Sequence, residues 1–339
     1  MRIAITGSGA VGSLVGGMLT ASGQDVIMLS SRKEYVDLVN QHGQTICIVN
    51  TGERIHVEPR MVHVSEVNSL PQVDLVVCCA KSYGTKQAIM NALPLITTDT
   101  YIMSLQNGWG NVEQIKEVVS SGGTRIIAGV FYSLVTPDAE QPNYLRLVQG
   151  TSLIKAGAVD QIPSPKIREI ADVFNRAGLD CTLVDNYVDI IWNKLIGNTA
   201  MPVAAVLGLT NDELLMSEST RALVTRIFEE SIAVARELGV NFDCPEDPLR
   251  PHLAQLQKFM AGRGQGMRGS MPLDVINGRK TEIDAINGAV VTEGRKKGIP
   301  TPVNECLVLM VKAMEERNIQ GKIFCFDRKV IGIPGLMLR

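Results

Sequence analysis

What this chain has little of narrows its function before any motif is read. It carries 33 Lys and Arg against 35 Asp and Glu, a formal net charge of −2 over 339 residues. Nucleic acids and anionic membrane surfaces are recognised through dense positive charge, so neither is an expected partner. No uninterrupted apolar run approaches the roughly 18 residues that cross a bilayer. A strand-like segment begins at Arg2, which leaves no room for a signal peptide, and a cytoplasmic location is expected. Histidine is scarce, with only His42, His56, His63 and His252. Cys47, Cys78, Cys79, Cys181, Cys244, Cys306 and Cys325 include no C-x-x-C pair. These spacings match no metal-ligand pattern, so no metal site is expected. An odd number of scattered, mostly apolar-flanked cysteines reads as free thiols in a reducing compartment. Internal repeats and low-complexity segments are also missing. What is abundant is core material, 45% hydrophobic against 20% charged. One core rarely organises more than about 250 to 300 residues, so two domains are expected.

Residues 1–30 read as strand, glycine-rich turn, helix and strand. Arg2 to Thr6 is a short apolar strand, and Gly7-Ser8-Gly9-Ala10-Val11-Gly12 is a G-x-G-x-x-G turn that opens a helix over Ala10 to Ala21. That context converts a weak motif into a strong dinucleotide signal. The first glycine permits the tight turn, the second clears space for the pyrophosphate, and the third lets helix and strand approach. The helix N-terminus then offers N–H groups and partial positive charge to the phosphates. A second strand, Asp25 to Leu29, ends in Ser30-Ser31-Arg32-Lys33, with no acid before Glu34. An NAD site usually places an acid there for the ribose 2′-hydroxyl. Hydroxyls and cations suit a 2′-phosphate, so NADP(H) is the expected cofactor, with Ser31 and Arg32 as its contacts; a solvated basic loop is the alternative reading.

The first half continues as a doubly wound α/β sheet. Strands are expected at 73–79 and 101–105, helices at 85–93 and 112–119, a β-rich run at 125–135, a hairpin over 144–155, a helix over 163–178 and a strand at 181–184. From Tyr187 the apolar residues recur at three and four, which predicts helices near 187–207, 218–239, 246–261, 281–297 and 302–317. The expected organisation is a Rossmann-type NADP-binding domain over 1–186 and an all-helical substrate and catalytic domain over 187–339. Its tail, 324–339, is expected to be an irregular extension.

Three segments have the character of active-site material. Cys79-Ala80-Lys81 and Leu105-Gln106-Asn107-Gly108 follow parallel strands, at the end where such sheets bind ligands. In Ile191-Trp192-Asn193-Lys194-Leu195-Ile196-Gly197-Asn198, Lys194 and Asn198 are four apart and share a helix face. Taken singly, each has a plain alternative: a solvated lysine, an Asn-Gly turn, a snorkelling lysine.

Taken together, these residues resemble the ketopantoate reductase (2-dehydropantoate 2-reductase) family, NADPH-dependent reducers of 2-oxo acids. The resemblance runs from the glycine-rich turn to about residue 317. It is carried further by Gly269-Ser270-Met271 with Asp274, by Gly278-Arg279-Lys280-Thr281-Glu282-Ile283-Asp284, by Asn287-Gly288 and by Gly298-Ile299-Pro300-Thr301-Pro302. It implies that Lys194 is the general acid, that Lys81 and Asn107 position the cofactor and the lysine, and that Asn107 also meets the substrate. It further implies that Glu282 bonds the substrate hydroxyl, and that Ser270 and Asn198 grip the substrate's polar groups, with the substrate held between the domains. A first-turn helix acid with Thr281 as N-cap is the plain reading of Glu282, and both can hold.

Two positions depart from the family pattern: Pro202 and Met267 stand where asparagines usually bind ketopantoate. The segment from Thr136 to Gln149 also lacks the usual glycine-proline pattern. The expected function is NADPH-dependent reduction of a small 2-oxo acid or ketone, with ketopantoate to pantoate the leading reaction. A paralogous reductase of another carbonyl compound and a non-catalytic dinucleotide sensor are the alternatives; the retained Lys194 and Glu282 argue against a sensor. A homodimer is compatible with the helical domain and its tail.

Overall fold

Side chains alternate strictly along β1 (Arg2–Thr6), with Ile3 and Ile5 in one apolar cluster and Ala4 in another, all fully buried. A strand buried on both faces belongs at the centre of a parallel sheet, and β1 is central. The computed structural model describes residues 1–119, 125–148, 153–162, 164–262 and 268–319. Among them the chain divides into two compact units, Met1–Ile191 and Trp192–Arg339.

The first unit carries α1 (Ala10–Ala21), β2 (Asp25–Ser30), α2 (Lys33–His42), β3 (Gln44–Ile48), β4 (Arg54–Val57), β5 (Arg60–His63), β6 (Leu75–Cys78) and α3 (Thr85–Ala92). It continues through β7 (Tyr101–Ser104), α4 (Asn111–Val118), β8 (Arg125–Phe131), β9 (Leu134–Pro137), β10 (Tyr144–Val148), β11 (Ile154–Ala158), α5 (Pro165–Arg176) and β12 (Cys181–Leu183). The main sheet has the order β12-β11-β8-β7-β6-β1-β2-β5. Its strands from β8 to β5 run parallel, β11 is antiparallel to β8, and β12 runs along β11. The chain reverses its winding between β1 and β6, so the crevice beyond their carboxyl ends is where a ligand belongs.

A second sheet, β4-β3-β10-β9, was not foreseen. The short strand Arg54–Val57 carries a single buried residue and leaves almost no periodic signal. The expected hairpin over 144–155 is therefore corrected: β10 pairs with β9 and β3, whereas β11 pairs with β8 and β12 in the main sheet. Helix α1 packs on both sheets, which accounts for its small residues. A Cβ at Gly16 would stand 2.5 Å from Met28 Sδ, and one at Gly17 would stand 2.5 Å from Gln44 Nε2.

The division between units falls inside α6 (Tyr187–Asn198), whose Ile190 and Ile191 join the first unit's core. Then follow α7 (Met201–Leu207), α8 (Glu218–Glu237), α9 (Leu249–Gly262), α10 (Ser270–Ile276), α11 (Asn287–Lys297) and α12 (Pro302–Ile319). The helix expected over 187–207 is broken at Thr199 and Ala200, because Pro202 has no N–H to donate and its ring crowds the carbonyl four residues back. The helix expected from 281 begins at Asn287, after a 3-10 turn over Ile283–Ala285. The stretch Tyr187–Leu207 does meet the length and hydropathy of a membrane span, against expectation, and 61% of its apolar window is buried inside the fold. Asp189, Asn193, Lys194 and Asn198 interrupt the run and concealed it in the sequence. The tail 324–339, Pro163 and Met267 lie outside the described residues.

Candidate active site

In the first unit the glycine-rich turn leaves β1 with Gly7 at φ +91°, a left-handed conformation that favours glycine. A Cβ at Gly7 would lie 2.3 Å from the Ala80 backbone nitrogen, and one at Gly12 would lie 2.1 Å from the Gly7 carbonyl oxygen. Gly9 is different: nothing lies within 4 Å of the position its Cβ would occupy. Glycine there is not required by the protein's own packing, and the open space suits a group that approaches the backbone from outside. Gly9 caps α1 without a side chain, and no acid stands in the first turn. The first-turn donors and the helix dipole are therefore available to an anion. Ser8, Ala10 and Val11 belong to the same turn. The residues present fit a dinucleotide pyrophosphate.

Around this turn the structure gathers the strand ends. Lys81, half-buried, follows β6 and opens the 3-10 turn Ser82–Gly84. Gln106, which follows β7, is 5% exposed and donates through Nε2 to the Ala80 carbonyl (2.9 Å) and to Thr85 Oγ1 (2.7 Å). Its amide staples the two strand ends, a structural task the sequence did not separate from that of its neighbour. Asn107 stays half-buried, and its carbonyl accepts from Asn111 Nδ2 at 3.0 Å. Ser31 and Arg32 are exposed at the end of β2. Arg32 Nη2 donates to the Ser8 carbonyl at 2.8 Å, which brings the basic loop and the glycine-rich turn together.

In the second unit, Lys194 and Asn198 are half-buried on one side of α6, among the fully buried Trp192, Leu195 and Ile196. Desolvation pulls the Lys194 ammonium down to about 8, and the nearby Glu282 carboxylate opposes that shift. Glu282 is only 6% exposed. It sits just before the 3-10 turn rather than in the first turn of an α-helix, so its plain reading as a first-turn helix acid is corrected. Thr281 Oγ1 accepts from the Ile283 N–H at 3.2 Å, and the Thr281 N–H donates to Glu315 Oε1 at 2.6 Å. These bonds fix the backbone on both sides of Glu282. Ser270 is exposed at the start of α10. The preceding Gly269 comes close to α7, since a Cβ there would stand 3.0 Å from Met201 Sδ. Within this unit the structure thus brings Glu282 near enough to Lys194 to oppose its desolvation, and places Ser270 on the helix that packs against α7. Among the described residues no three His, Cys, Asp or Glu side chains cluster as metal ligands.

Sequence reasoning missed Tyr35, whose ring lies under the Arg32 guanidinium, 4.5 Å from Cζ to centroid. An aromatic residue three positions after an arginine, at the start of a helix, was the signal available.

The chain matches two family models: ketopantoate reductase PanE/ApbA over residues 3–160, and ketopantoate reductase PanE/ApbA C terminal over 186–315. It is 29% identical over 319 residues to the 2-dehydropantoate 2-reductase of Pyrococcus horikoshii, covering 93% of this chain and 98% of that one. A PanE/ApbA family ketopantoate reductase from Ralstonia eutropha JMP134 superposes with a TM-score of 0.81 at 28% identity, covering 94% of this chain and all of that one. A D-mandelate dehydrogenase solved with NADH and anilino(oxo)acetate superposes with a TM-score of 0.83 at 27% identity, covering 94% and 99%. A glycine-rich dinucleotide turn, a helical second half and these matches converge: the chain belongs to the ketopantoate reductase family and is an oxidoreductase acting on a CH–OH group.

Proposed function

We propose that this chain is an NADPH-preferring reductase of 2-oxo acids, with ketopantoate as the leading substrate and Lys194 as the general acid. The observation that carries the reading is the pairing of Lys194 with Glu282. A half-buried ammonium whose pKa lies near 8 is mostly protonated at neutral pH, yet it gives up its proton far more readily than a solvated lysine. Glu282 opposes the desolvation of Lys194 and so favours the protonated ammonium before reaction. The glycine-rich turn and the first turn of α1 would hold the pyrophosphate, with Arg32 and Ser31 on the 2′-phosphate and Lys81 and Asn107 near the nicotinamide half. Bound there, the cofactor supplies the hydride. Lys194 donates a proton to the substrate's carbonyl oxygen, Glu282 accepts a hydrogen bond from the hydroxyl that results, and Asn198, Asn107 and Ser270 hold the substrate's polar groups.

The NADPH preference is supported by the lack of an acid at the end of β2 and by an arginine already tied to the turn. Charge-assisted bonds to the 2′-phosphate should favour NADPH by about 1.5–3 kcal/mol, roughly 10- to 150-fold.

Steady-state kinetics of Lys194→Ala, with NADPH binding measured alongside, test the assignment. Turnover should fall about 10²- to 10⁴-fold with cofactor affinity kept. A fall smaller than about tenfold, or loss of cofactor binding with it, would remove Lys194 from the role.

A second reading concerns the substrate alone. Pro202 is buried in the first turn of α7 where the family usually has an amide, and one similar solved structure is a D-mandelate dehydrogenase. Both favour a 2-oxo acid with a larger apolar substituent.

A further inference from the structure

The guanidinium at the end of β2 is held on two sides. Arg32 Nη2 donates to the Ser8 carbonyl at 2.8 Å, and its Cζ lies 4.5 Å from the centroid of the Tyr35 ring. Tyr35 is itself anchored: it is 7% exposed, and its hydroxyl lies 3.0 Å from Ser13 Oγ in α1. Ser13 Oγ in turn donates to that same Ser8 carbonyl at 3.4 Å. Arg32, Ser8, Ser13 and Tyr35 therefore close a ring of contacts between the glycine-rich turn, α1 and α2. The backbone sets this up. Arg32 is the N-cap of α2, and its carbonyl accepts from the N–H groups of Tyr35 and Val36 at 3.1 Å each, which puts the ring one turn beneath the arginine.

We infer that Tyr35 is a positioning residue for cofactor specificity: its ring clamps the Arg32 guanidinium beside the glycine-rich turn, so that the arginine's remaining N–H groups are ready for the 2′-phosphate of NADPH. The inference rests on the NADPH preference proposed above. Its chemistry lies in how a guanidinium divides its surfaces. The flat face is attracted to the negative face of an aromatic ring, whereas phosphates are bound by the N–H edge. Clamping by the face leaves the edge free for a ligand. One edge donor is used on Ser8, which fixes rotation, and the others remain. An exposed arginine has many rotamers, and their loss on binding opposes affinity; an arginine held in advance has already lost them. Burial also raises the Tyr35 hydroxyl above its ordinary range, so the ring stays neutral and its bond to Ser13 persists.

The test is a fluorescence titration of NADPH and NADH against the full-length parent, Arg32→Ala, Tyr35→Phe and Tyr35→Leu. Tyr35→Leu should weaken NADPH about 3- to 30-fold, the range open to a partly desolvated cation–π contact, and change NADH less than twofold. Tyr35→Phe keeps the ring and should stay within about threefold of the parent ratio. Phenylalanine analogues with rising fluorination at position 35 hold the shape constant while draining the ring's negative face; the NADPH:NADH affinity ratio should fall along that series. This arm stands whether or not Tyr35→Leu folds. A ratio that stays flat along the fluorinated series, or a Tyr35→Leu protein that loses both cofactors equally, overturns the clamp while Arg32→Ala still abolishes the preference. If the parent itself shows no preference and Arg32→Ala changes nothing, the NADPH reading fails, and the clamp with it.

Discussion

At the scale of single residues, the proposed chemistry rests on Lys194, and the direction of its pH dependence can be worked out. Burial disfavours the charged ammonium and brings its pKa down to about 8, while Glu282 raises it. A general acid must carry its proton, so kcat/KM should be level below that value and decline as pH rises through about 8. Glu282→Gln removes the raising influence while conserving shape. The decline should then move to lower pH, and activity at neutral pH should drop even before any lost substrate bond is counted. A pH–rate profile of the two proteins checks this; a limb that stays in place, or moves upward, contradicts the coupling. The placement of Lys194 and Asn198 on one helix was legible in the sequence, from their spacing of four in an apolar run. The depressed pKa of Lys194 was not, because that depends on the buried neighbours Trp192, Leu195 and Ile196 and on a carboxylate 88 positions away. Gln106 shows the converse. A carboxamide after a strand looked functional, and folding uses it to tie Ala80 to Thr85.

At the scale of elements, the three glycines of the turn should separate folding from binding. Alanine at Gly9 meets no protein atom within 4 Å, and the backbone there is extended, with φ −80° and ψ −168°. Gly9→Ala should therefore leave Tm within about 2 °C of the parent, yet weaken the dinucleotide by at least about tenfold, because the methyl fills space reserved for the pyrophosphate. Gly7→Ala faces both a positive φ and the Ala80 backbone at 2.3 Å. It should destabilise the fold by about 1–3 kcal/mol or more, with binding lost as a consequence. Thermal melts beside cofactor titrations distinguish the two, and a Gly9→Ala protein that binds normally would place the pyrophosphate elsewhere. Strong elements such as β1, α1, β6 and α8 were readable because their apolar spacing is unambiguous. Helix α2 and strands β3, β4 and β5 went unread; they are short and flanked by polar residues. Helix α10 carries only seven residues and follows a stretch with no periodic pattern. The break between α6 and α7 was readable in principle from Pro202, whose ring ends one helix and begins the next.

At the scale of the whole molecule, each half contributes a different kind of information to the choice of substrate. The first unit carries the dinucleotide turn, a feature shared by every substrate such a reductase could take. The departures from the family pattern, Pro202 and Met267, belong to the second unit, so the proposed discrimination turns on that half of the chain. Pro202 offers no side-chain donor or acceptor, and being a proline it lacks a backbone N–H as well. A substrate hydroxyl that an asparagine would have met is left without that partner, which costs about 1–3 kcal/mol for each group so stranded. An apolar substituent suffers no such loss and gains from contact with the ring. On the second reading of the substrate, the expected order is weak turnover of ketopantoate and a higher kcat/KM for branched or aromatic 2-oxo acids, by roughly 5- to 150-fold for one unmet hydrogen bond. Pro202→Asn should shift the ratio back toward ketopantoate, although placing an amide where α7 begins also removes the proline that starts the helix. Its Tm must therefore be compared with that of Pro202→Ala, which loses the same ring without adding an amide. If the parent prefers ketopantoate tenfold or more over every branched and aromatic acid tried, the missing amides are neutral and the pocket meets ketopantoate through other groups.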